Sequence, residues 1–280
     1  MGENRIINEH TILRNTDTTP YLSFPVLEQF DFIRHGFSTR LGGVSDGIYE
    51  SMNLGFNRGD DDDLVRENYE RICNSIGIQA KDLVFTDQVH KDHVRIATKE
   101  DCGKGIEKER DYSEIDGQIT NEKDVPLLAF AADCVPIFFV DPVKKAVGIT
   151  HSGWKGTAMK IGRRTVEKMT EAYGSNPSDI VAVIGPCIGK ECYEVSEEVA
   201  EAFRANFTDA QLSTFLEQTD PIHYHLDLWN ANREILLESG LTPDHITISG
   251  LCTMCNPTLL FSHRLTRGQR GSMAGFICLK

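Results

Sequence analysis

No run of this chain is apolar for anything like the ~18 residues that a membrane-crossing helix needs. The opening MGENRIINEHTILRN is polar throughout and holds no apolar core of the secretory kind, so the protein is expected to be cytoplasmic. Its Met-Gly start lacks the Ser or Thr at the sixth position that N-myristoylation requires; Ile6 stands there. Basic residues are scarce, 29 Lys and Arg against 42 Asp and Glu. The resulting net charge of −13 argues against nucleic acid or an anionic membrane as partner, because both need a positive surface. A small phosphate ligand needs only a local cluster of donors and stays open. No internal repeat, low-complexity tract or linker breaks the chain. The acidic run at 59–63 (GDDDD) fits a solvated helix start.

Cysteine is present but not as a framework. The eight cysteines are unevenly spaced, and in a chain expected to be cytoplasmic that argues against disulfides. Cys252 and Cys255 make a CxxC with no second pair at zinc-knuckle distance, so they read as packed thiols. His223 and His225 share a strand face. They offer a second metal site, but fit better as a strand end leading into a helix capped by Asp227.

Periodicity predicts interleaved strands and helices. Residues 1–28 read as a loosely patterned leader, and 29–280 as one domain. Strands are expected at 30–39, 83–90, 94–97, 125–132, 136–140, 146–150, 181–184, 246–249 and 275–279; helices at 63–76, 157–173, and from Ser196 and Asp227. Hairpins alternate with βα units. The fold class is therefore α/β, a single-domain sandwich of mixed β-sheets with flanking helices.

The hairpin of 136–140 and 146–150 carries the chemistry. If Val140 faces Ala146, then Val135 faces His151, and Cys134 and His151 emerge together at its open end. A helix is expected just beyond His151, and its free N–H groups offer a positive end. Taken singly, a cysteine at a strand end is usually packed, and His90 or His93, after the strand at 83–90, is usually a surface or capping histidine. Together, His90, Cys134 and His151 make a three-ligand set, the open pattern of catalytic zinc.

Nine short strings at and around these residues resemble one family. They are 37–45 (FSTRLGGVS), 51–55 (SMNLG), 88–90 (QVH), 116–117 (DG), 132–136 (ADCVP), 151–156 (HSGWKG), 184–188 (IGPCI), 192–195 (CYEV) and 225–228 (HLDL). In this order they resemble the laccase-domain family, also called the polyphenol oxidase or peptidoglycan editing factor family, described as purine nucleoside phosphorylases with adenosine deaminase activity. The resemblance implies zinc on His90, Cys134 and His151, with copper as the other metal such a donor set suits. It implies phosphorolysis of adenosine, inosine and methylthioadenosine, with purine nucleoside and phosphate as partners. Ser152 and Lys155 depart from the family's usual Ala and Arg, and Ser272 stands where an Arg is expected, leaving Arg264, Arg267 or Arg270 as substitutes.

On this reading zinc would activate water for attack at purine C6, and phosphate would attack the ribose anomeric carbon. Arg40, Asn53, Arg58 and Lys155 are the candidate phosphate or ribose contacts. A second reading is a cysteine amidase that edits peptidoglycan precursors, with Cys134 as nucleophile and His151 as base. A third is a metal-binding interaction protein without turnover. A multicopper oxidase needs paired His-x-His motifs, whereas the chain has nine His and one such pair, so copper chemistry would be mononuclear.

Overall fold

Alternation along the strands decides the layers. In the strand Val135–Asp141 every residue is buried, and its two faces enter different cores. Phe138 and Val140 pack with Leu22, Phe37, Leu127, Met273 and Ile277 of a second sheet. Ile137 and Phe139 pack with Val166 and Met169 of the helix Ile161–Tyr173 and with Ile235 and Leu236 of the helix Leu228–Glu238. On the far side of the second sheet, Leu128, Phe276 and Cys278 meet Val65, Tyr69 and Ile72 of the helix Asp62–Ile76. Helix, sheet, sheet and helices thus stack in order, each sheet apolar on both faces.

The computed structural model describes residues 3–15 and 17–280; Met1 and Gly2, the start weighed for N-myristoylation, lie outside the described residues. A seven-stranded sheet runs, in spatial order, Arg5–Asn8, Thr11–Arg14, Tyr21–Ser23, Ile33–Ser38, Met273–Leu279, Leu127–Ala131 and Val84–Phe85. The six-stranded sheet facing it runs Ile246–Ile248, Val181–Ile184, Val135–Asp141, Ala146–Ser152, Gly117–Thr120 and Val94–Ile96. Both sheets mix parallel and antiparallel pairs, as the sequence predicts. A small sheet of Glu194–Ser196, His223–Leu226 and Leu216–Gln218 sits apart. Among the described residues no helix is long and apolar enough to cross a membrane.

Several expectations need correcting. Within the segment read as a leader, residues 5–23 supply three strands of the seven-stranded sheet, and Phe24 and Leu27 are fully buried. Its strands are only three or four residues long, too short to show a period. The strand expected at 83–90 shrinks to Val84–Phe85. Beyond it the Gln88 side chain takes the neighbour's role, accepting from Phe130 N at 2.7 Å and donating to Phe130 O at 2.9 Å. The helix expected at 157–173 breaks into Trp154–Ala158 and Ile161–Tyr173, because Lys160 adopts a left-handed conformation (φ 60°). The helices expected at Ser196 and Asp227 do start there, with Ser196 and Asp227 as N-caps.

One histidine ties the N-terminal strands to the core. His35 is 8% exposed, and its Nε2 accepts a hydrogen bond from Phe24 N at 3.0 Å, so the ring must stay neutral. Burial lowers its pKa from 6.5 to about 4, against a smaller opposing pull from Glu28. The folded pKa of this base lies below the unfolded one. Its contribution is therefore intact above pH 6.5 and is lost as pH falls through the window toward 4. We predict that wild type loses about 2 kcal/mol more stability than His35→Gln between pH 7.5 and pH 5 in urea unfolding. Equal losses in the two proteins would show that His35 does not carry this proton.

Candidate metal centre

The site forms where the central hairpin opens. Pairing places Ala146 opposite Asp141 and His151 opposite Pro136, one residue off the predicted register. The shift comes from the turn, where Asp141 Oδ1 accepts N–H groups of Val143 and Lys144 and so draws Asp141 into the strand. The slip matters, since opposed residues share a face and alternate residues return to it. With Pro136 opposite His151, Cys134 falls on the side of His151.

Two carboxylates bend the chain into place. Asp133 takes a left-handed conformation (φ 81°) immediately before Cys134. Its carboxylate accepts from Thr253 Oγ1 at 2.5 Å, Ser262 Oγ at 3.1 Å and Arg264 N at 2.6 Å. His90 is also left-handed (φ 62°). The buried carboxylate of Asp116 fixes that turn by accepting the N–H groups of Val89, His90 and Lys91 at 2.9–3.1 Å. Non-glycine residues in this region cost on the order of 1–3 kcal/mol each and persist only where the surroundings over-determine them.

The same Asp116 accepts from His151 Nδ1 at 2.8 Å, which leaves Nε2 as the free donor atom of that ring. His90, Cys134 and His151 each bring a ligand atom within 4.8 Å of the other two. His90 Nε2 lies 3.9 Å from Cys134 Sγ, and the two imidazoles meet edge-on with centroids 4.7 Å apart. Gly153 borders all three: a Cβ there would lie 2.8 Å from His90 Cδ2 and 3.1 Å from Cys134 Sγ. Burial works against ionising the Cys134 thiol, but the charge of His151 and hydrogen bonds from both histidines win and lower its pKa. The Cys134 charge and the Asp116 hydrogen bond raise His151 in turn, against burial. One sulfur and two nitrogens, with a carboxylate behind one imidazole, fit a zinc or copper ion with an open coordination position. His93 points away, its Nδ1 3.1 Å from Glu114 O.

The three donors sit in a cleft of about 230 Å³ that also holds Phe56, Phe130, Arg58, Arg110 and Arg270. Phe56, Asp87, Arg110 and Phe130 also line a neighbouring hollow of about 690 Å³. Arg110 is neutralised by Asp87 at 3.0 Å. Arg58 and Arg270 form no ion pair among the described residues. Arg270 is partly buried, and burial together with the Arg58 charge lowers its pKa to about 10. Its Nε is buried with no partner. Asp133 pulls the other way on Arg270, but its carboxylate is already engaged by Thr253, Ser262 and Arg264 N, so the two guanidinium groups face the cleft with no direct carboxylate partner among the described residues, an arrangement suited to an anion.

Of the four residues predicted to touch phosphate or ribose, only Arg58 lines this cleft. Arg40 lies over the Phe261 ring and donates to the carbonyls of Pro257 and Glu50. Asn53 is fully buried and accepts from Ser272 N at 2.9 Å, so it supports the cleft wall from behind. Lys155 is exposed, its ammonium 5.3 Å from the Trp154 ring centre. Of the three arginines offered in place of the one expected before Met273, Arg270 is the one that lines the cleft. Arg264 instead donates to Glu194 O, and Arg267 closes a short helix in left-handed conformation. Asp116 and Gly153 lie inside matched strings, but their roles become visible only in three dimensions.

The family described as multi-copper polyphenol oxidoreductase laccase matches residues 34–280. The chain belongs to this laccase-domain family. It is 46% identical over 249 residues to purine nucleoside phosphorylase YlmD of Bacillus subtilis, covering 88% of each protein. It is 36% identical over 257 residues to human purine nucleoside phosphorylase LACC1, covering 89% of this chain and 56% of that protein. The crystal structure of YlmD from Geobacillus stearothermophilus superposes with a TM-score of 0.87 at 35% identity, covering 96% of this chain and 98% of that one.

Two substitutions test the centre. Asp116→Asn removes the charge that orients His151 and holds the turn at His90, and Gly153→Ala pushes a methyl between His90 and Cys134. Each is predicted to weaken metal binding by roughly 10–100-fold, read by competition with a chromogenic chelator. Unchanged affinity in both would mean that these three side chains do not form the metal centre.

Proposed function

We propose that this chain is a cytoplasmic purine nucleoside phosphorylase with adenosine deaminase activity, dependent on one zinc ion at His90, Cys134 and His151. Adenosine, inosine and methylthioadenosine are the proposed substrates, with phosphate as co-substrate. The observation that carries the reading is the unpaired Arg58 and Arg270 in the same cleft as the three donors. The names of the relatives agree with it.

A zinc ion held there supplies Lewis acidity to the reacting centre. The protein's own groups do the rest. Arg58 and Arg270 bind phosphate and hold it for attack. A phosphate oxygen bonds to the ribose anomeric carbon as the bond from that carbon to the purine nitrogen breaks. The electron pair leaves on the purine, which takes up the proton that hydrogen phosphate gives up. Phe56 and Phe130 offer apolar faces to the base. Asp116 keeps the proton on Nδ1 of His151, so Nε2 presents a lone pair to the metal.

The contact between Cys134 and His151 also supports the cysteine amidase reading, because a thiol lowered by an imidazolium is an activated nucleophile. Copper is the alternative metal, but a multicopper centre is not supported. Among the described residues the groups of clustered ligands number two, of three residues each, and one of them is all cysteine.

Incubation with adenosine separates the readings. Adenine and ribose 1-phosphate are expected only when phosphate is present, and inosine with or without it. A thioester trapped on Cys134 from a muropeptide precursor, with no turnover of adenosine, would transfer the assignment to the amidase. Metal present with neither product would favour a binding protein.

The arginines have their own signature. Arg58→Gln and Arg270→Met are each predicted to raise the KM for phosphate roughly 10–100-fold, the worth of a charge-assisted hydrogen bond. Inosine formation from adenosine without phosphate should change little. Equal loss of both activities would place the arginines on the nucleoside, not on phosphate.

A further inference from the structure

Away from the cleft the fold assembles a second cluster. Cys192 ends the short turn Lys190–Cys192, and Cys252 and Cys255 lie in the loop that follows the strand Ile246–Ile248. A sulfur from each lies within 4.8 Å of the other two. The Cys192 and Cys255 sulfurs are 3.4 Å apart, although 63 positions separate them in the chain. None of the three lines the cleft of His90, Cys134 and His151. Neighbouring Cys187 is buried, and its thiol is directed at Ile188 O.

We propose that Cys192, Cys252 and Cys255 bind one thiophilic metal ion, zinc first, at a second site independent of the first. A tetrahedral zinc with metal–sulfur bonds of about 2.3 Å holds its thiolates about 3.8 Å apart. The observed sulfurs, from 3.4 Å to within 4.8 Å of one another, bracket that spacing. The CxxC supplies the chelating pair, and Cys192 is the third ligand that sequence spacing alone does not reveal. Gly189 N donates to Cys252 Sγ at 3.1 Å, a bond of the kind that steadies a metal-bound thiolate. The cluster contains no histidine and no carboxylate, and an all-sulfur set selects soft ions. Cys255 is exposed, so water can reach the fourth position. A disulfide between Cys192 and Cys255 would leave Cys252 without a role, and the three-sulfur arrangement favours metal.

The test uses the Cys134→Ala protein, which lacks the only sulfur of the first site. Reduced, chelator-stripped protein is titrated with cadmium chloride while the ultraviolet sulfur-to-cadmium charge-transfer band is followed. One cadmium per chain is expected, with a band of three-thiolate intensity. Adding Cys255→Ser, at an exposed position where circular dichroism should show an unchanged fold, is expected to reduce the band by at least a third and the affinity at least tenfold. Cys192→Ser should do the same. The wild-type scaffold carrying Cys255→Ser should keep the metal of the first site by elemental analysis. No band in the Cys134→Ala protein overturns the proposal, as does a band indifferent to both serines. So does recovery of a Cys192–Cys255 disulfide by mass spectrometry from cells lysed into alkylating agent.

Discussion

The buried carboxylate of Asp116 is the interaction on which the site depends. It stands at the start of the strand Gly117–Thr120, in the six-stranded sheet, so its position is set by the core. Three backbone N–H groups of residues 89–91 and the His151 imidazole converge on it. An ionised carboxylate with no exposed surface is costly unless its lone pairs are filled, and here four donors fill them. Those hydrogen bonds outweigh burial and keep its pKa below the ordinary value. One charge therefore accounts for the tautomer of His151, the left-handed turn at His90 and the approach of two segments that are far apart in sequence.

Rigidity around the donors follows the same logic. The bends at His90 and Asp133 are unfavourable locally, and each is held by a carboxylate with several donors. Gly153 completes the arrangement by absence, since any side chain there would occupy the space between His90 and Cys134. The centre is thus preformed by the fold. A metal entering it would meet donors already oriented, with little chain entropy left to lose.

How much of this could be read from the sequence depends on the range of the interaction. The central hairpin, the buried strands and the caps at Ser196 and Asp227 are local patterns, and they were legible. The trio His90, Cys134 and His151 was legible because two of its members flank one hairpin. Its register was not, because the displacement depends on Asp141 side-chain hydrogen bonds that leave no mark in hydropathy. Arg40 and Asn53, inside the family-like strings 37–45 and 51–55, read as phosphate or ribose contacts. The fold uses them to tie backbone carbonyls and N–H groups together instead. Arg270 could be named only as one of three alternatives, since a loop does not fix which arginine turns inward.

The loop of residues 252–264 joins the two cysteine-bearing regions. Thr253, between the two cysteines of the CxxC, donates to Asp133, as do Ser262 and Arg264 N from the far end of the same loop. Asp133 in turn sets the bend that delivers Cys134. Pairing between Cys187 and Cys252 and the bond from Thr253 N to Cys187 O bind the loop's start to the segment after strand Val181–Ile184. The position of Cys134 is therefore referred to the six-stranded sheet twice, once through its own strand and once through this loop. That double anchorage explains how a half-buried cysteine at a strand end holds one orientation beside a cleft open to solvent. A single hydrogen bond, from Thr253 to Asp133, thus separates the chain neighbour of Cys252 from the chain neighbour of Cys134.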